Sequence, residues 1–293
     1  MPELPEIIVY IEALASRILG HPLRKILLRS PFFLRSVDPP IDVLQNHPVT
    51  EIRRIGKRVV IGFPEDLFLV IHLMIAGRLR WRPPGQKPGI GARLVLATLE
   101  FDAGTLLITE AGSKKRASMH VVRGDAAVRA MDPGGVEPLE VDLDGFTAAL
   151  LRESHTVKRA LTDPRLFSGI GNAFSDEILH AARLSPVKLT RRLTDDEIAA
   201  LWTATRQTLT RWTDLLRADA GGEFPEKVTA FHPRMAVHGR FNEPCPTCGA
   251  AVQRIVYAEN ESNYCAICQT GGVRLADRSL SRLLRDDWPR RIE

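Results

Sequence analysis

No run of 18 apolar residues occurs in the chain, so no segment has the length of a membrane-crossing helix. The N-terminus lacks the basic and apolar regions of a secretory signal, which sets aside export. Internal repeats and low-complexity tracts are also missing, and with them the solenoid architectures. Excess charge of one sign is small: 40 basic residues face 35 acidic ones, for a net +5. The pI of about 9.2 favours an anionic partner, nucleic acid first, but so small an excess restricts any such surface to a local patch. Cysteine is rarer still, with four, all in one short stretch. In a soluble intracellular chain, which the first two absences predict, that clustering speaks against disulfides and for a metal.

The residues present are enough for ordinary folded domains. A length of 293 and a hydrophobic content of 44% predict about two domains with cores of their own. Leu4, Ile7, Ile8, Ile11, Leu14, Ala15 and Ile18 recur at helical spacing up to Gly20, predicting one helix over the first 20 residues. From there to about residue 125, segments 23–34, 49–63, 67–81, 93–101 and 105–109 are rich in β-branched and aromatic residues, with proline and glycine turns between them. Short strands so spaced predict a sandwich or barrel. Residues 131–145 carry two prolines and three glycines among acids and read as a linker. Beyond them the chain turns helical. Thr194-Asp195-Asp196-Glu197 is a capping box before a long amphipathic run that residues 219–222 end. These signals divide the chain into a β-rich domain at 1–130, the linker 131–145, a helical domain at 146–235, the cysteine segment at 236–270 and a basic extension at 271–293, with helix expected around 279–284.

The chain opens Met1-Pro2-Glu3-Leu4-Pro5-Glu6. Once Met1 is trimmed, Pro2 presents a secondary amine with the acid Glu3 beside it, a nucleophile and a proton source for Schiff-base chemistry. Such amines titrate near roughly 8, so part of the population is unprotonated at neutral pH. The same residues also read as a helix start, with Pro5 in the first turn and Glu3 and Glu6 at the positive end of the macrodipole. The two readings are compatible, because a helix beginning at residue 3 holds the amine in a fixed place.

Cys245-Pro246-Thr247-Cys248 and Cys265-Ala266-Ile267-Cys268 are separated by sixteen residues. Two such knuckles supply four soft thiolates in a tetrahedron, which suits zinc and leaves no open position for catalysis. Alternation at Val252, Arg254 and Val256 predicts a β-hairpin between them. A further signal lies at 161–182, where a short helix ends, Gly169 and Gly171 turn the chain, and a second helix begins at Asn172. Free N–H groups at a helix start bind anions, and the two glycines allow a phosphate backbone to approach. An ordinary helical hairpin with glycines in its turn has the same sequence signature.

In this order, the three features resemble the formamidopyrimidine-DNA glycosylase / endonuclease VIII family of base-excision repair. The MPELPE start is similar to its formamidopyrimidine branch. Lys57, in Arg54-Ile55-Gly56-Lys57-Arg58, resembles its strand lysine, and His72-Leu73 with Gly77 its HLxxxG segment. Residues 161–182 resemble its helix-two-turn-helix element, and Val237-His238-Gly239-Arg240 with the four cysteines its zinc finger. The resemblance implies an α+β fold: an N-terminal β-sandwich with a leading catalytic helix, a C-terminal helical domain with the helix-two-turn-helix motif, and a zinc hairpin finger. It implies a DNA glycosylase with abasic-site lyase activity. Pro2 attacks C1′ of a damaged nucleotide flipped out of the stack, Glu3 protonates the ring oxygen, and Lys57 assists near the phosphates. Glu6, His72, Gly169, Gly171 and Asn172 are expected at the DNA, and Cys245, Cys248, Cys265 and Cys268 around one structural Zn2+. The implied partner is double-stranded DNA with a damaged base or abasic site, bound by a monomer in a bacterial-type cytoplasm, at the nucleoid.

The chain also departs from that family. Asn260 stands five residues before the third cysteine, where the family has an arginine, so the second, δ-type elimination loses its expected phosphate clamp. Arg254, Arg274 and Arg278 are candidates to replace it. The loop that fills the gap left by the flipped base carries Lys114, Lys115 and Arg116 and no aromatic wedge; these read as phosphate contacts or as a solvated charge run. Met74 and Ile75 read either as a wedge between bases or as strand core. Residues 220–229 do not match the usual base-capping loop. Three readings follow: a glycosylase and lyase with a divergent preferred lesion, a glycosylase with little lyase activity, and a catalytically silent binder of damaged DNA.

Overall fold

The computed structural model describes residues 1–86, 89–112, 114–226, 231–257, 260–275 and 291. The chain divides into two compact units, residues 1–133 with 212–229, and residues 134–211 with 230–293.

The first unit begins with helix α1 (Leu4–Ile18). Glu3 is its N-cap in extended backbone, and the Glu3 N–H donates to Glu6 Oε2 at 2.8 Å. This satisfies one N–H orphaned at the helix start. Leu4, Ile7, Tyr10, Leu14 and Ile18 form its buried stripe. Gly20, at φ +79°, turns the chain out of the helix in a region that favours glycine.

Eight strands follow: β1 (Leu23–Leu28), β2 (Glu51–Ile55), β3 (Arg58–Phe63), β4 (Leu67–His72), β5 (Gly77–Arg82), β6 (Val95–Phe101), β7 (Gly104–Glu110) and β8 (Ser118–Arg123). They make two antiparallel sheets, ordered β1-β6-β7-β5 and β2-β3-β4-β8. Alternate residues of both sheets, among them Val59, Ile61, Leu69, Ile71 and Val121 from one and Leu79, Leu99, Leu106 and Ile108 from the other, share one core with the α1 stripe. Phe68 and Val70 point the other way, against Val60 and Val128 of the short helix α2 (Asp125–Arg129). Strand β4 is therefore buried on both faces, which is why its sequence reads as an unbroken apolar run.

Segment 49–63 is a hairpin and segment 67–81 holds two strands of different sheets, β4 and β5, so neither is a single strand. Ile55 pairs with Arg58, leaving Gly56-Lys57 as a two-residue turn with Gly56 at φ +54°. In the turn from β4 to β5 a side chain on Gly77 would sit 2.1 Å from the Leu73 carbonyl oxygen, so only glycine fits that turn. Segment 23–34 ends as a strand at Leu28, and 118–123 adds a strand that its charged approach conceals.

The second unit contains α3 (Leu143–Leu151), α4 (Val157–Thr162), α5 (Asn172–Ala181), α6 (Asp195–Ala220), the hairpin β9 (Gln253–Tyr257) and β10 (Asn260–Tyr264), and α7 (Ala266–Thr270). Short polar side chains start these helices. Asp142 accepts the Gly145 N–H at 2.8 Å, and Thr194 N–H donates to Glu197 Oε2 at 2.9 Å, the capping box expected there. Gly221 and Gly222, both at positive φ, follow α6, whose last turns from Trp212 are counted with the first unit. The helix expected at 279–284 lies outside the described residues.

Candidate active site and zinc finger

In the first unit, α1 brings the start of the chain, Glu3 and Glu6 together, and the β2–β3 turn adds Lys57. Glu3 and Glu6 are 3% and 2% exposed, burial that carboxyls tolerate only with partners. Burial, reinforced by the charge of Glu3, pushes the Glu6 carboxyl up to about 7. Burial also holds the Met1 amine below its ordinary value; Glu3 and Glu6 oppose this, while Arg78 and Lys57 reinforce it. Burial likewise lowers Lys57, again opposed by the two glutamates. The chain start thus sets buried Pro2 beside two buried carboxyls, of which Glu6 keeps a proton near neutrality.

Arg78, which the sequence reading passed over, belongs to this cluster. It opens β5 behind Gly77 and donates from Nη1 to the Gly77 carbonyl at 2.7 Å and to that of Ile75 at 3.1 Å. An arginine directly after the HLxxxG glycine was the available signal.

Met74 and Ile75 lie at the β4–β5 turn, not inside a strand. Met74 adopts φ +51°, unusual for a side chain of that kind, and Ile75 is 54% exposed. A held backbone with apolar bulk at its tip has the form of a wedge. His72 ends β4 opposite Arg58 and Ser118. Burial, with Arg58, Lys57 and His120 around it, lowers its imidazole to about 4, so His72 is neutral at pH 7.

Lys114, Lys115 and Arg116 are exposed on the loop after β7. Buried Glu110 organises that loop: its carboxylate accepts the Arg116 N–H at 3.0 Å and the Ala117 N–H at 3.3 Å. The Lys115 ammonium donates to the Glu110 carbonyl.

In the second unit, Gly171 is the N-cap of α5 and Gly169 takes φ +79°. Both glycines are buried. The Asn172 amide nitrogen donates to the Glu261 carbonyl at 2.9 Å, tying the helix start to β10. Two acids of α5 strengthen that tie, and the sequence reading gave them no role. Asp176 accepts from Lys158 Nζ; it also accepts from Ser262 Oγ and the Asn263 N–H, both at 3.1 Å, and pairs with His238 Nδ1 at 2.8 Å. Glu177 accepts the N–H groups of Ala236, Val237 and His238 at 2.7, 2.9 and 3.0 Å. Adjacent acids inside an otherwise apolar helix were the available sign of a buried network.

Among the described residues, the sulfurs of Cys245, Cys248, Cys265 and Cys268 form a group able to hold a metal, all within 4.8 Å of one another. Cys248 and Cys265 are 3.4 Å apart, and Cys245 and Cys268 4.0 Å. A tetrahedral zinc with bonds of about 2.3 Å sets its sulfurs about 3.8 Å apart, so the four fit one structural zinc. His180 of α5 places Nε2 3.3 Å from Cys245 Sγ, the kind of outer contact that steadies a ligand. Asn260 opens β10 opposite Tyr257. Its side chain, Ala258, Glu259 and Arg278 lie outside the described residues. Arg254 places its guanidinium 4.2 Å from the Phe241 ring centroid and 3.6 Å from Glu261.

This architecture and its zinc finger define a DNA-repair glycosylase fold. Family models for the formamidopyrimidine-DNA glycosylase N-terminal domain, its H2TH domain, and the zinc finger found in FPG and IleRS match residues 1–113, 135–216 and 242–271. The formamidopyrimidine-DNA glycosylase of Thermus thermophilus is 32% identical, covering 93% of this chain and 100% of its own. That of Heliobacterium modesticaldum is 30% identical, covering 92% and 100%. The structure of Lactococcus lactis Fpg in complex with FAPY-dG-containing DNA superimposes with a TM-score of 0.79 at 25% identity, over 92% of this chain and 100% of that one. The chain belongs to the formamidopyrimidine-DNA glycosylase family.

Proposed function

We propose that the protein excises a damaged base from double-stranded DNA and then cleaves the abasic site, using the Pro2 nitrogen as nucleophile. The observation that carries this reading is the burial of Pro2, Glu3 and Glu6 at the start of α1, with Lys57 close enough for the charges of both glutamates to act on it. With Met1 attached, the Pro2 nitrogen is an amide and does not attack, so the mechanism requires that residue's removal. The free secondary amine then bonds to C1′ while the base departs with a proton. Glu3 protonates the ring oxygen and the sugar opens to an iminium. A proline iminium has no N–H to lose and stays cationic, so it draws electrons from the C2′–H bond. Loss of that proton expels the 3′ phosphate by β-elimination. Lys57 stabilises phosphate charge, and Glu6, neutral His72 and the 169–172 turn contact the backbone. Met74 and Ile75 fill the space of the flipped nucleotide, and Lys114, Lys115 and Arg116 supply local positive charge. The protein works as a monomer at the bacterial-type nucleoid.

The test uses protein verified to begin at Pro2, abasic duplex and borohydride. A covalent adduct is expected, formed more slowly by Pro2→Gly, whose terminal primary amine gives an imine that can lose its N–H proton and its charge. Glu3→Gln is expected to lower base excision by at least about a hundredfold, the contribution of a positioned general acid. Tight binding of damaged duplex with neither adduct nor nicking would favour the silent binder instead.

A further inference from the structure

Residues 222–226 follow α6 and belong to the first unit, where the base-capping loop of the family is not matched. They are fastened on two sides. Phe224 is buried, its ring centroid 5.8 Å from Tyr10 of α1 and 6.5 Å from Trp81 of β5. The Arg17 guanidinium stands 5.6 Å from the same ring, and Arg17 Nη2 donates to the Gly222 carbonyl at 3.0 Å. Two residues on, Glu226 meets β5. Its carboxylate accepts from Arg80 Nη1 at 3.2 Å, from Arg82 Nη1, and from the Trp81 N–H at 3.3 Å.

The partners are telling. Strand β5 is an edge of its sheet among the described residues, so no strand there receives the Trp81 N–H. Arg80 and Arg82 lie on one face of that edge, and Glu226 answers both with a single carboxylate. Charge-assisted bonds from two guanidiniums and a backbone amide hold one atom group from three directions. Helix α1 carries the chain start, Glu3 and Glu6, while β5 carries Arg78 and continues from the Met74–Ile75 turn. Through Phe224 and Glu226 the segment touches both of these elements.

We propose that residues 222–226 form a strap whose Phe224 and Glu226 are positioning residues for the reaction, fixing α1 and its terminal nucleophile against β5 and the turn that it bears. The inference rests on the function proposed above. Catalysis by an oriented amine depends steeply on placement, whereas backbone binding spread over many phosphates does not. The strap therefore acts on the chemical step more than on affinity.

The experiment compares the Pro2-initiated protein with Glu226→Gln, which keeps shape and removes charge, Phe224→Leu, and a control, Asp102→Asn. The control breaks the exposed Arg24–Asp102 pair of the same unit, away from α1. Borohydride trapping on abasic duplex gives the single-turnover rate, and titration of a duplex with a non-reactive tetrahydrofuran site gives affinity. Both strap variants are expected to slow adduct formation by about tenfold, with affinity unchanged within about twofold. Their rate–pH profiles are expected to move to higher pH, as a less buried amine regains its proton. The control is expected to leave rate and profile as they were. Rates and profiles of the strap variants matching wild type, or losses of rate and affinity in equal proportion, overturn the inference. Absence of adduct in the wild type overturns the proposed function instead.

Discussion

At neutral pH the Glu6 carboxyl, pushed up to about 7 by burial and by the Glu3 charge, is divided between its two forms. Its ordinary value is 4.5, so between these values the folded chain binds the proton more tightly than the unfolded one. Stability from this group is complete below pH 4.5 and declines as pH rises through 7, by roughly 3 kcal/mol in all. Glu6→Gln keeps an oxygen for the Glu3 N–H and removes the titration. Calorimetry is expected to show the wild type losing melting temperature relative to the variant between pH 5 and 8; parallel curves would contradict the assignment. His72 works in the opposite sense. Its folded value near 4 lies below the ordinary 6.5, so its contribution is present above 6.5 and is lost as pH falls toward 4. The identities of Glu3, Glu6, Lys57 and His72 were legible in the sequence through resemblance. Their charge states were not, because they arise from burial and from partners such as Arg58 and His120 on other strands.

Among the elements, α5 shows how a helix can secure a finger that is too small for a large core. Glu177 satisfies three consecutive N–H groups of the 236–238 segment, and one carboxylate oxygen serves two of them. Glu177→Gln replaces one acceptor oxygen with a donor, so at least one N–H is left facing another N–H. A loss of about 2–3 kcal/mol is expected, from an unsatisfied buried group and a lost charge-assisted bond. Hydrogen exchange checks this directly: Ala236, Val237 and His238 amides are expected to exchange faster, while the β3–β4 amides stay protected. Element types were readable wherever periodicity was clean, as in α1, α6 and the β9–β10 hairpin. Successive strands were fused in the reading where the turn was brief or apolar, as in the hairpin at Gly56-Lys57 and in the crossing between sheets at 73–76. Strand β8 was missed because its alternation at Met119 and Val121 follows directly on three cations. The polar network of Asp176 and Glu177 joins residues about sixty to ninety positions apart, a separation that no local pattern reports.

Across the whole molecule, the metal acts within one unit. Chelation is expected to raise deuterium uptake in residues 236–268 and along α5, and to leave α1 and the eight strands of the first unit as they were, since the zinc ligands and the Asp176 and Glu177 contacts all lie in the second unit. Uptake rising equally in both units would show that zinc supports the entire chain. The overall class was legible because three sparse signals, a proline start, a glycine turn and paired cysteine knuckles, occurred in family order. The strap at 222–226 was legible only as a mismatch, since Glu226 takes its meaning from arginines some 145 positions earlier. One detail of the finger has a bearing on oxidative stress. Cys248 is the exposed sulfur of the four, while Cys245 and Cys265 are buried. A peroxide diffusing in from solvent meets Cys248 first, and a sulfur carried to sulfinic acid no longer serves as a thiolate ligand. Loss of that ligand would loosen the zinc's hold on the β9–β10 hairpin, whose Glu261 carbonyl accepts from the Asn172 amide.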